Sequence, residues 1–161
     1  MRSAPVGHDL PMLGAFLLAV AVVIAVGGAV TAAAMPEWYG TLVKPSWTPP
    51  NWVFGPAWTT LYILMALAAW LVWRRRRSAP VRGALIAWWT QLGLNLLWTL
   101  VFFGGRAPTW ALVEIALLWF AIALTLALFW RVRPIAGVLM APYLGWVGFA
   151  ASLNAGIVAL N

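Results

Sequence analysis

LPMLGAFLLAVAVVIAVGGAVTAAAM, residues 10–35, decides what this chain can be. It holds no charged residue, and a helix needs about 20 apolar residues to cross the ~30 Å hydrocarbon core of a bilayer. Four further runs have the same character, at 52–73, 83–103, 107–130 and 135–160. Only one of the five contains a charge, Glu114 in the run at 107–130. Of the 161 residues, 65% are hydrophobic and 8% charged, against about 25% charged in a typical soluble domain. Such a chain cannot cover a surface facing water.

Backbone groups in lipid must pair within the protein, so the runs are expected to be helices. The period-2 alternation of a membrane barrel is absent. The reading is an all-α membrane protein, a five-transmembrane-helix bundle in one domain over residues 1–161, with a long ordered loop between helices 1 and 2. Ala32 and Ala34 imitate a signal-peptide cleavage site. The apolar stretch before them is too long for one and only Arg2 precedes it, so the first run is read as a retained span.

Basic residues set the expected orientation. Arg2, Arg74, Arg75, Arg76, Arg77, Arg82, Arg131 and Arg133 share one side, and only Lys44 and Arg106 lie on the other. The positive-inside rule then makes the amino terminus cytoplasmic and puts the 36–51 loop and the carboxyl terminus on the opposite side. The net charge of +7 is read as topology and lipid-headgroup anchoring rather than nucleic-acid binding. The chain has no cysteine, which excludes disulfides and thiolate chemistry.

The stretch WYGTLVKPSWTPPNWVFGPAWTTLY, residues 38–62, is dense in tryptophan, tyrosine and proline. Pro45, Pro49 and Pro50 fix φ and remove backbone donors, so they imply a stiff, non-helical loop carrying aromatic rings. Long ordered loops commonly act as lids or binding loops. A flat apolar molecule is the ligand such a lid suggests.

Trp70, Trp73 and Trp130 stand at span ends, as a membrane-interface belt requires. Trp88 and Trp89 are ambiguous. Trp58, Trp98, Trp119 and Trp146 lie deeper, either packing between helices or lining a pocket. Helical spacing aligns Trp58, Tyr62 and Met65 on span 2, and Gln91, Asn95, Trp98 and Phe102 on span 3. On span 5 it aligns Tyr143, Trp146, Ala150 and either Leu153 or Asn154. Each face joins aromatic surface to a polar tip, the make-up of a small-molecule site. Gln91 and Asn95 fit interhelical hydrogen bonding equally well. Glu114 is either a functional acid within the membrane or a group bonded to loop backbone. Small residues in span 1 (Gly27, Gly28, Ala29, Ala32) and span 5 (Ala141, Gly145, Gly148, Ala151, Ala155) allow close helix packing, inside the bundle or in a dimer. Pro142 is expected to kink span 5.

Several chemistries fail for want of residues. The only histidine is His8, and Asp9, Glu37 and Glu114 are scattered. No metal cluster, acid–base pair or phosphate-binding glycine loop is expected. No required cofactor is expected either.

WYGTLVKPSWTPPNWVFGPAW at 38–58, QLGLNLLW at 91–98 with FFG at 102–104, Trp110, and PYLGWVGFAASLN at 142–154 resemble the translocator protein family. Its members are also called tryptophan-rich sensory proteins or peripheral benzodiazepine receptors (TspO/MBR), and this chain resembles the bacterial type. The resemblance implies a five-helix bundle, commonly a homodimer, with a pocket closed by the loop between spans 1 and 2. It implies as ligands protoporphyrin, haem, sterols and benzodiazepine- or isoquinoline-type drugs. It implies ligand contacts at Tyr39, Pro49, Phe54, Trp58, Tyr62, Asn95, Trp98, Trp110, Trp146 and Ala150. If porphyrin is degraded under light, Trp58 and Trp146 match the indoles involved. SLNAGIVALN at 152–161 lacks the tyrosine and basic residue of the animal proteins' cholesterol motif, which argues against cholesterol as the ligand. The expected function is a sensory or translocating tetrapyrrole-binding protein in a bacterial cell membrane, an outer membrane being the other location. A light-dependent porphyrin-degrading enzyme and a transporter of tetrapyrroles or sterols are the alternatives.

Overall fold

The structure is a computed structural model that describes residues 9–161; Arg2 and His8 lie outside the described residues. It consists of five long helices: α1 (Leu10–Glu37), α2 (Phe54–Trp73), α3 (Arg82–Thr99), α4 (Pro108–Val132) and α5 (Pro134–Leu160). A rise of about 1.5 Å per residue makes even the shorter ones long enough to approach the thickness of a bilayer core. All five are apolar enough to cross a membrane. The bundle is a multi-pass membrane protein.

Local chemistry sets the helix ends. Pro108 and Pro134 open α4 and α5, where the missing N–H would have had no intrahelical partner. α3 is extended by a wider π-type turn, Leu100–Gly104. There the Gly105 N–H donates to the Leu100 carbonyl at 2.7 Å and the Ala107 N–H to the Val101 carbonyl at 3.2 Å. Arg106 completes the reversal in a left-handed conformation, φ 52°. α5 runs unbroken through Pro142.

The helices close a ring. α1 packs on α2, α2 on α5, α5 on α4, α4 on α3, and α3 with its π-turn returns to α1. The α4–α5 hairpin is tight at Gly137, where a Cβ would meet Trp130 side-chain carbon at 2.7 Å. The half of the bundle nearer the arginine-rich turn is solid. Met65, Val72, Trp88, Ile122, Phe129, Met140 and Tyr143 are buried there, and Ile115 and Leu118 carry the core on toward the other end. Trp88, ambiguous in the sequence, is a core residue whose indole N–H donates to the Met65 carbonyl at 3.0 Å. Large apolar side chains such as Leu18, Leu117 and Phe120 point outward, as expected where the surrounding solvent is lipid.

The arginine end is anchored by Asp9. Its carboxylate pairs with Arg76 at 2.9 Å and Arg74 at 3.6 Å, and its carbonyl accepts the Trp70 indole N–H at 2.9 Å. Arg74 and Arg76 also lie over the rings of Trp70 and Trp73. Indoles and guanidinium groups thus meet at this end of the bundle.

Candidate functional site

At the opposite end, between α1, α2, α3 and α5, lies a cavity of about 390 Å³, within the range of small-molecule sites. Tyr39, Phe54, Trp58, Tyr62, Trp98 and Ala150 all line it. On α2, positions 54, 58 and 62 repeat every four residues, so one helix face delivers all three rings. Trp58 lies 5.6 Å from Tyr62 and 6.4 Å from Trp146, the latter nearly perpendicular. On α3, Trp98 stacks on Phe102 at 5.2 Å. Tyr39 meets Phe102 and Phe103 edge-on or tilted.

The other expected residues take different places. Asn95 is buried behind the wall, where it accepts the Tyr62 hydroxyl and donates to the Tyr143 hydroxyl at 3.0 Å. It fixes the wall rather than lining it. Trp146 backs Trp58 and packs edge-on against Phe54; its buried N–H has no acceptor among the described residues. The structure does not bring Pro49 or Trp110 to the cavity. Pro49 is half-buried in the lid loop, and Trp110 is 71% exposed on the outer face of α4. Trp119 is also remote, with its indole against Gly148 of α5.

Glu114 is buried, and neither carboxyl oxygen has a hydrogen-bond partner among the described residues. The reading that it bonds loop backbone is therefore corrected. The backbone contact at the start of α4 belongs to Asn154, whose amide donates to the Pro108 carbonyl at 2.8 Å while its oxygen accepts the Trp98 indole N–H at 3.3 Å.

One wall had no counterpart in the sequence reading. α1 contributes Ile24, Gly27, Gly28, Thr31, Ala32 and Met35. Its small residues resemble a helix-packing stripe, and the stretch has no aromatic ring and only the Thr31 hydroxyl to mark it as a lining. Asn51, Thr59, Thr99 and Asn154 add uncharged polar groups to the aromatic surface.

The lid follows its prolines. Short 3₁₀ turns at Tyr39–Thr41 and Asn51–Val53 flank a segment without helix, bent at Ser46 and Trp47 where the Thr48 N–H donates to the Pro45 carbonyl at 3.0 Å. Pro45 is buried against Gly156 of α5, where a Cβ would collide with the proline ring. Asn161 pairs with Val43 through two hydrogen bonds. Lys44 lies over the Tyr39 ring at 4.7 Å, and burial pushes the Tyr39 hydroxyl above the ordinary tyrosine pKa. An exposed Arg106–Glu37 pair at 3.2 Å joins α1 to the turn before α4.

Fold and site together define a five-helix membrane protein with a lidded aromatic cavity at one end. A profile of the TspO/MBR family matches residues 15–160. The tryptophan-rich protein TspO of Archaeoglobus fulgidus is 41% identical over 151 residues, covering 92% of this chain and 96% of that protein. The protein of the same name from Chlorobaculum tepidum is 45% identical over 128 residues, 77% of this chain and 79% of its own length. The Homo sapiens translocator protein is 42% identical over 120 residues, 73% of this chain and 71% of its own. The chain belongs to the TspO/MBR family.

Proposed function

We propose that this protein captures a flat, largely apolar ring ligand, a tetrapyrrole of the protoporphyrin or haem kind, and acts as a membrane sensor or translocator for it. One observation carries the reading: aromatic rings from α2, α3 and the lid converge on a cavity whose polar lining groups are uncharged. Stacking on Trp58 and Trp98 supplies affinity, and hydroxyl and amide tips orient the ligand. The names of the relatives, sensory and translocator proteins, agree with that role. With His8 the only histidine, haem would be held by ring contact. Benzodiazepine- and isoquinoline-type drugs share the flat apolar shape and would compete for the same space. The protein is placed in a bacterial cell membrane with the arginine end cytoplasmic, following the positive-inside rule, and as a homodimer.

The test is titration of the purified protein with protoporphyrin IX, read by tryptophan fluorescence. Saturable quenching that competes with a drug-type ligand supports the reading. Quenching no greater than that of an unrelated tryptophan-rich membrane protein sinks it.

The perpendicular Trp58–Trp146 pair at the wall favours one second reading, light-dependent breakdown of bound porphyrin with dissolved oxygen as the oxidant. Porphyrin absorbance followed under illumination decides it. Decay no faster than in empty detergent micelles removes it.

A further inference from the structure

We propose that ligands reach the cavity sideways, from the bilayer, through a window between α1 and α2 framed by Gly28, Ala32, Gly55 and Thr59. The inference rests on reading the cavity as a ligand site.

All four residues line the cavity and are exposed. Lining residues this exposed are what an opening in the wall leaves at its edge. At Gly28 and at Gly55 an added Cβ would meet nothing within 4 Å, so the gap is real space and not a close helix contact. The Thr59 hydroxyl donates to the Gly55 carbonyl of its own helix at 2.9 Å, so it is already partnered. The frame therefore carries no charge and no hydroxyl seeking water. Gly28 stands nine residues before the end of α1, roughly 14 Å along the helix from its lid end, at a depth occupied by acyl chains. Gly55 stands one residue inside the lid end of α2, so the window runs from the lid level down to that depth and opens on lipid at its deeper edge.

The lid side is tethered, with Asn51 the lining residue that is exposed there. Asn161 holds Val43, Pro45 is seated on Gly156, and Tyr39 is packed against Phe102 and Phe103. A tethered lid and an open flank together favour entry by partitioning. Molecules that dissolve in the membrane first gain access, and strongly charged molecules confined to water do not.

The first test needs no ligand. The chain has no cysteine, so Thr59→Cys in nanodiscs takes a single bimane label. We expect quenching by doxyl groups on phospholipid acyl chains and none by iodide in the buffer. Quenching by iodide alone overturns the window. The second test uses protoporphyrin IX in stopped-flow fluorescence. Gly28→Leu should slow association and dissociation together, by about tenfold each, whereas a mere contact change alters mainly dissociation. Asn161→Ala should leave association unchanged. Wild-type rates in Gly28→Leu, an effect confined to dissociation, or faster association in Asn161→Ala overturns the proposal. Ala32→Leu replaces Gly28→Leu if that variant fails to fold. Absence of any quenching in the wild type discards the tetrapyrrole reading and leaves the bimane result to decide the window.

Discussion

Asn161 grips both backbone groups of Val43, accepting its N–H at 3.0 Å and donating to its carbonyl at 2.9 Å. The side-chain amide stands in for a neighbouring strand and ties the lid to the end of α5. Each bond contributes about 1 kcal/mol net. Asn161→Ala should therefore speed amide exchange at Val43 by roughly tenfold or more. Exchange in the 43–47 segment, followed by mass spectrometry, measures this. Protection equal to wild type would mean that Pro45 and its contact with Gly156 hold the lid unaided.

Asn95 bridges two tyrosines from different helices, Tyr62 on α2 and Tyr143 on α5. Both hydroxyl groups are buried, so removing the bridge leaves them without it. Asn95→Leu should cost about 1–3 kcal/mol for each stranded group, seen as a lower unfolding temperature in detergent. Adding Tyr62→Phe to that variant removes one stranded hydroxyl and should recover part of the loss. A double variant less stable than Asn95→Leu would show that the tyrosine hydroxyl has another partner.

Trp58 and Trp110 make a controlled pair. One lines the cavity and touches Tyr62 and Tyr143, and the other faces outward. Trp58→Ala should weaken protoporphyrin binding by about 1–2 kcal/mol, since aromatic pairing adds about 0.5–1.5 kcal/mol beyond burial. Trp110→Ala should leave affinity within twofold, a difference of about 0.4 kcal/mol. Fluorescence titration of both variants checks the contrast. Equal losses would bring Trp110 into the site by a route the monomer does not provide.

That contrast marks how far the sequence could be read. Span number, order and approximate limits follow from run length alone, because lipid forces backbone pairing. Helix faces do not follow from hydrophobicity, because an outward face in lipid is as apolar as an inward one. Polar residues break that symmetry, and Gln91, Asn95, Glu114 and Asn154 are all buried. Tryptophan does not break it, being suited to core, cavity and interface alike. Trp88, Trp58 and Trp110 occupy one of each kind of setting: core, cavity and outer face. The α1 wall was illegible for a related reason. Gly28 and Ala32 act by leaving space, and a gap carries no chemical signature in a sequence.

Glu114 tests how an acid is tolerated here. Both its carboxyl oxygens are buried without a partner among the described residues, so no hydrogen bond or ion pair offsets its removal from water. Replacing a buried polar group that lacks good partners with an apolar one of similar volume is often neutral or stabilising. Glu114→Leu should thus unfold no lower than wild type in detergent, and Glu114→Ala should lose stability through the space it leaves. A Glu114→Leu variant destabilised by more than about 2 kcal/mol would show that the carboxyl group is held by a partner, since breaking a buried pair costs about that much or more. Protoporphyrin affinity measured in the same variant separates the two roles considered for this residue. An unchanged unfolding temperature with weakened binding would assign the carboxyl group to the ligand, and no change in either would leave it a tolerated passenger of α4.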